Sequence, residues 1–105
     1  MDYEGAEILL RRSAPKIELR LRSVAKEPWT VKWIETFLPG DVFYDVGANV
    51  GAYSLLAAKA NDGAVPVVAF EPSAPTYHDL CVNIALNGCD EIVTPLPIRS
   101  GRRPR

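Results

Sequence analysis

Three short and mostly apolar runs alternate with two longer segments of helical character along this 105-residue chain. The runs cover residues 42–46, 65–70 and 91–96, and the segments between them cover 52–60 and 73–87. A short and almost continuous apolar run is typical of a strand buried on both faces of a parallel sheet. Strands that alternate with helices form parallel sheets with right-handed helical crossovers. The sequence therefore predicts an α/β fold whose partial parallel sheet has about three strands and two crossover helices.

Two further elements are predicted before this unit. Residues 28–38 form a helix, because apolar side chains recur there at helical spacing: Trp33, Ile34, Phe37 and Leu38. Residues 16–22 alternate apolar and charged side chains, which indicates a half-buried strand, with residues 8–10 as its hairpin partner. We divide the chain into a strand or hairpin extension at 1–23, a main unit at 24–98 and a basic tail, expected to be disordered, at 99–105.

The charge of the chain is uneven. Its formal net charge is -1, but four arginines lie in the last seven residues, so residues 1–98 carry a net charge of -5. Hydrophobic residues make up 48% of the chain and charged residues 24%, which is typical of a soluble globular domain. This balance argues against a disordered chain, a collagen-like chain and a nucleic-acid-binding protein that is basic throughout. The basic end could bind nucleic acid or a membrane surface, but we favour a solvated tail.

Other classes of protein are also disfavoured. No apolar run approaches the ~18–20 residues that a membrane span needs. The acidic N-terminus does not resemble a secretory signal, so we expect a cytoplasmic protein. The two cysteines, Cys81 and Cys89, and the single His78 do not have metal-ligand spacing, so no metal site is expected. We predict both cysteines as buried, reduced thiols.

The segment from Asp45 to Gly51 carries the clearest functional pattern. A buried strand ends at a carboxylate, and a loop with two glycines then leads directly into a helix. Gly47 allows a sharp turn and brings bare backbone close to a ligand. Gly51 allows the helix to pack close to the strand, and the free N–H groups of the helix favour an anionic ligand group. Asp45 could instead only cap the helix.

Glu71 is the second element of this pattern. It follows the next strand, twenty residues after Gly51, where doubly wound folds place an acid that binds ribose hydroxyls. Asn49 takes the position of the middle glycine in a dinucleotide-binding loop, so it would crowd a pyrophosphate, and Asp45 would repel one. A ligand with an adenosine and a cationic end fits better. S-adenosylmethionine is such a ligand.

Three linked motifs resemble those of FkbM-type S-adenosylmethionine-dependent methyltransferases. They are Phe43–Leu55, Ala69–Ser73 and Asn83–Gly88, preceded by a lead-in helix around Trp33. The resemblance extends from about residue 23 to residue 97. It implies a Rossmann-like fold that transfers a methyl group to a hydroxyl oxygen of a small molecule or sugar.

The resemblance also implies roles for individual residues. Asp45, Gly47, Asn49 and Gly51 would line the amino-acid and sulfonium end of S-adenosylmethionine, and Ala48 completes the cofactor-binding set. Glu71 would hold the ribose. No catalytic residue is identified, and no nucleic acid or membrane is expected as a partner.

The chain departs from the family after its third predicted strand. The family continues there, whereas this chain ends in a basic tail. We therefore expect the N-terminal, cofactor-binding half of a methyltransferase in a truncated or frame-shifted chain. The alternatives are a non-catalytic fragment that keeps only the scaffold and, less favoured, a fragment of a nucleotide-binding oxidoreductase. Without a further strand beside it, run 42–46 would be an exposed apolar edge, through which we expect self-association.

Overall fold

A computed structural model describes residues 7–10 and 28–98 of the chain. Helices and strands alternate within these residues in the order α1 (Pro28–Glu35), β1 (Phe43–Val46), α2 (Ala52–Ala60), β2 (Val67–Phe70), α3 (Ala74–Leu86) and β3 (Val93–Leu96). The three strands form one parallel sheet in the order β1-β2-β3. The predicted α/β fold with three parallel strands and two crossover helices is confirmed.

Strand β1 lies at an edge of the described sheet and pairs only with β2, with Phe43 opposite Val67. Its burial alternates along the strand: Tyr44 and Val46, which share one face of the sheet, are 62% and 64% exposed. The prediction that run 42–46 is buried on both faces is wrong, because the face of the sheet that carries Tyr44 and Val46 is open at β1. Strand β2 lies between its two neighbours, and its Val67 and Ala69 are fully buried.

Helix α2 is the centre of the core. Leu55, Leu56 and Ala57 are completely buried, and the helix contacts both α1 and the sheet. On its other side Ile34 of α1 is also completely buried. Burial of this apolar surface is the main driving force for folding. It holds α2, and with it the end of the preceding loop, against α1 and the sheet.

Helix α1 is shorter than predicted, because its last residues form a tighter turn. The backbone N–H groups of Thr36 and Phe37 donate to the carbonyls three residues earlier, at 3.0 and 3.2 Å. The predicted apolar stripe is only partly correct. Ile34 is buried, but Trp33 is 56% exposed and Leu38 is 67% exposed.

Residues 7–10 contact the end of α3 instead of forming a strand. The side-chain amide of Asn87 accepts a hydrogen bond from Leu9 N at 2.8 Å and donates one to Leu9 O at 2.7 Å. The neighbouring Ile8 is buried. The predicted strand at 8–10 is therefore wrong. Its proposed partner at 16–22, the boundary at 23–24 and the tail at 99–105 lie outside the described residues.

Candidate functional site

The loop between β1 and α2, residues 47–51, has an unusual backbone. Gly47, Asn49 and Gly51 have φ angles of 69°, 59° and 98°. Glycine and asparagine are the residues that adopt this left-handed region most readily. The loop is fixed to the end of β2, because Ala48 N donates to Phe70 O at 2.9 Å. The sequence pattern of small residues and asparagine thus matches a conformation that few other residues tolerate.

The two loop glycines meet different surroundings. A Cβ on Gly51 would lie 2.8 Å from Leu80 Cδ1 and 3.8 Å from Leu55 Cδ1. Gly51 therefore permits close contact with Leu80 of α3, and none of the three nearest atoms belongs to the strand that the sequence led us to expect there. A Cβ on Gly47 would meet nothing within 4 Å. The backbone at Gly47 is thus open to a ligand.

Glu71 connects the loop to the start of α3. It directly follows β2 and is only 7% exposed. Its Oε1 accepts a hydrogen bond from Asn49 N at 2.8 Å, and its Oε2 accepts one from Ser73 N at 3.1 Å. Each oxygen of an ionised carboxylate can accept a second hydrogen bond. Glu71 can therefore orient the loop and still bind hydroxyl groups.

Asp45 lies on β1, beside Ala69 of β2, and faces the first turn of α2. Its Oδ2 accepts a hydrogen bond from Ser54 Oγ at 2.6 Å, and the backbone N–H of Ser54 also donates to the carboxylate. Burial raises the pKa of Asp45, the two Ser54 hydrogen bonds oppose this rise, and the charge of Glu71 adds to it. The capping role that the sequence left open is thus present, and it leaves acceptor capacity on Asp45.

The structure brings all six predicted site residues to one edge of the sheet. Asp45, Gly47, Ala48, Asn49 and Gly51 are contiguous with the carboxyl end of β1, and Glu71 reaches them through its bond to Asn49. Their role in binding a cofactor remains a prediction. Within residues 7–10 and 28–98, no group of three or more His, Cys, Asp or Glu side chains could hold a metal ion.

Two supporting residues were not found from the sequence. Ser54 is fully buried against Asp45, as described above. Asn83 of α3 is also fully buried, and its Nδ2 donates to Val50 O at 2.9 Å. A polar residue within an apolar helix was the available signal for each, but its partner depends on how α2 and α3 pack. Asn83 ties the loop to α3.

No protein-family model and no curated protein matches the chain. Solved structures do. StiE O-MT superposes with a TM-score of 0.65 at 14% identity, over 87% of this chain and 33% of that one. PRMT6-SAH superposes with a TM-score of 0.62 at 25% identity, over 76% of this chain and 24% of that one. An RNA methyltransferase from Salinibacter ruber, in complex with S-adenosyl-L-homocysteine, superposes with a TM-score of 0.54 at 17% identity, over 85% of this chain and 50% of that one.

The chain has the Rossmann-like fold of S-adenosylmethionine-dependent methyltransferases. It spans between 24% and 50% of the length of these three structures. At this level of identity the comparison establishes the fold and not a particular family. Membership of the FkbM type therefore remains a prediction.

Two further features of the described residues are the lengths of the helices and the state of the cysteines. No helix within residues 7–10 and 28–98 is long and apolar enough to cross a membrane. Cys89 is buried and Cys81 is half-buried, and both are free thiols. The prediction of buried cysteines is thus correct for Cys89 and only partly so for Cys81.

Proposed function

We propose that this chain binds S-adenosylmethionine at the carboxyl edge of β1 and β2, as part of a methyltransferase. One observation carries the proposal: two carboxylates, Asp45 and Glu71, flank a loop whose backbone is open at Gly47. The segment from Asp45 to Gly51 contains no basic side chain. Such a site favours a ligand with hydroxyl groups and a positive charge over a pyrophosphate.

The donor and acceptor groups of the site fit this cofactor. Glu71 would accept hydrogen bonds from the ribose hydroxyls through the capacity that Asn49 and Ser73 leave free. Asp45 would attract the ammonium and sulfonium end. The ammonium and sulfonium end would also be lined by the backbone of four loop residues: Gly47, Ala48, Asn49 and Gly51. When bound, S-adenosylmethionine supplies an activated methyl group, and the protein supplies binding and orientation.

For the methyl acceptor, we propose a hydroxyl group of a small molecule or sugar, as in FkbM-type enzymes. A nucleic acid is less compatible with the charges near the site. Among residues 28–98 only Lys32 and Lys59 are basic, against eight acidic side chains. Phosphate backbones are bound chiefly through Lys and Arg, so an acidic surface repels them. The superposed structures include both an O-MT and an RNA methyltransferase, so acceptor chemistry must be tested directly.

We assign residues 24–98 the role of the N-terminal, cofactor-binding half of such an enzyme. The short span relative to the superposed structures supports this role. No described residue is assigned as a catalytic base. A cytoplasmic location fits the two free thiols.

The test is calorimetric titration of the purified chain with S-adenosylmethionine, with NAD as the matched control. Binding of S-adenosylmethionine alone would support the proposal. Binding of NAD would instead favour a nucleotide-binding oxidoreductase. If neither ligand binds, the proposal is wrong and the chain is a scaffold without cofactor binding.

We also propose that the chain self-associates through the edge of β1 that no described strand covers. Beside this edge Val42, Tyr44 and Val46 are each about half to two-thirds exposed. A groove of about 300 Å³ lies beside them and is lined mainly by aromatic side chains, including Trp33, Phe37 and Phe43. An apolar strand edge with unpaired backbone groups readily pairs with another strand.

A further inference from the structure

Ser54 is a buried hydroxyl placed against the site carboxylate that comes from β1. It is the third residue of α2, lies nine residues after Asp45 and has no exposed surface. Its Oγ donates to Asp45 Oδ2 at 2.6 Å. A buried hydroxyl requires a hydrogen-bond partner, and a bond to an ionised carboxylate is short and strong. The contact therefore ties the direction of the Asp45 side chain to the first turn of α2.

The surroundings of Asp45 otherwise oppose a negative charge. Burial disfavours the ionised carboxylate, and the second titratable group that faces it, Glu71 beyond β2, carries the same charge. Within the described residues, the interactions that favour the ionised form are the hydroxyl and backbone N–H bonds from Ser54. The backbone bond would persist in any substitution at position 54 except proline, so the hydroxyl is the part that a side-chain variant removes.

We propose that Ser54 is a positioning residue, which fixes the orientation of the Asp45 carboxylate and keeps it charged for the cationic end of the cofactor. This inference rests on the proposed function. Only the charged form of Asp45 attracts an ammonium or sulfonium group. Ser54 thus acts through Asp45, and its contribution to binding depends on pH.

The test is the dissociation constant of S-adenosylmethionine from about pH 4, near the ordinary carboxyl pKa, to about pH 8, because burial raises the pKa of Asp45. Ser54→Ala should weaken binding about tenfold at the acidic end and by less at the alkaline end, where Asp45 is charged without the hydroxyl. Ser54→Thr, which keeps a hydroxyl, should restore the wild-type profile. Ser54→Cys keeps a side chain of similar size, but it should weaken binding as Ser54→Ala does, because S–H is a weak hydrogen-bond donor.

The matched control is Thr36→Val. It removes a hydroxyl hydrogen bond of the same length, 2.6 Å to Trp33 O, at the end of α1. It should leave the pH profile unchanged. A second readout needs no ligand: carbon-13 NMR of the Asp45 carboxyl should titrate at higher pH in Ser54→Ala than in the wild type.

The outcomes separate two failures. If Ser54→Ala weakens binding equally at every pH, or only lowers the melting temperature, the Ser54 hydroxyl only stabilises the fold and the positioning role is wrong. An unchanged NMR titration of Asp45 would overturn the role as well. If the wild-type chain binds no S-adenosylmethionine at any pH, the proposed function itself has failed, whatever the titration shows.

Discussion

The backbone N–H of Asn49 donates to Glu71 Oε1 at 2.8 Å, across 22 residues of sequence. The same carboxylate accepts from Ser73 N at 3.1 Å. Glu71 thereby holds the β1–α2 loop against the start of α3, in addition to its proposed contact with ribose. A substitution at Glu71 should affect both the loop and the ligand.

Glu71→Ala should weaken binding of S-adenosylmethionine by about 1–3 kcal/mol, because charge-assisted hydrogen bonds are lost. Calorimetry measures the change. The control is Glu91→Ala, which removes an exposed carboxylate from the turn before β3. Equal affinity in wild type and Glu71→Ala would contradict the ribose role.

Gly51→Ala should lower the free energy of unfolding more than Gly47→Ala does. Both positions have a positive φ, which costs alanine about 1–2 kcal/mol. Only at Gly51 would the new Cβ lie 2.8 Å from Leu80, and such overpacking costs about 1–3 kcal/mol more. Denaturant unfolding of the two variants measures the difference. Equal losses would show that Leu80 moves aside without cost.

Asp45→Asn should raise the melting temperature at neutral pH and weaken cofactor binding. The pKa of Asp45 is raised above its ordinary 3.8, so its contribution to stability is complete below that value and is lost as pH rises through the folded-state pKa. Asparagine is never charged, so the advantage of the variant should shrink as the pH falls. Thermal unfolding across this range checks the sign. A variant that is less stable than wild type at neutral pH would contradict it.

Asn87→Ala should release residues 7–10 from the end of α3. The Asn87 amide makes two hydrogen bonds to Leu9 and one, at 2.7 Å, to Asn83 O. Loss of several such bonds costs about 1–3 kcal/mol, so amide hydrogen exchange at Leu9 should become faster. Asn61→Ala is the control, because it removes a side-chain amide at the end of α2. Unchanged exchange at Leu9 would show that the buried Ile8 holds the segment by itself.

Tyr44→Lys should reduce self-association of the chain. A lysine on an exposed edge strand opposes pairing with a second strand. Sedimentation velocity at several concentrations measures the effect. Leu86→Lys is the control, because Leu86 is 51% exposed on α3, away from β1. A wild-type chain that stays monomeric at ~100 μM would contradict self-association through this edge, since weak pairing is populated in that range.

Much of the fold follows from local sequence pattern. The alternation of apolar runs with helical segments predicted three parallel strands and their order along the chain. Asp45 and Glu71 lie at the ends of the first two of these runs, so the sequence also predicted that they occupy neighbouring strand ends. The helix at Ala52–Ala60 was predicted with its observed bounds. These features depend on residues close together in the chain.

The errors arise where exposure depends on distant residues. Run 42–46 is mostly apolar, as β2 is, yet Tyr44 and Val46 are exposed because the sheet face that carries them is open at β1. Leu9 was assigned to a strand by its apolar neighbours, but its backbone bonds to Asn87, 78 residues away. Apolar character indicates that a residue can be buried, and only the packing decides whether it is.

The sequence alone determined which chemical groups meet at the site, because the carboxyl ends of parallel strands share one edge. The tertiary structure alone decided how those groups are held. The Asn49–Glu71 and Ser54–Asp45 hydrogen bonds, and the contact of Gly51 with Leu80, join residues 9 to 29 positions apart. Hydrogen bonds and close packing depend on distances within a few tenths of an ångström, and helix packing sets those distances.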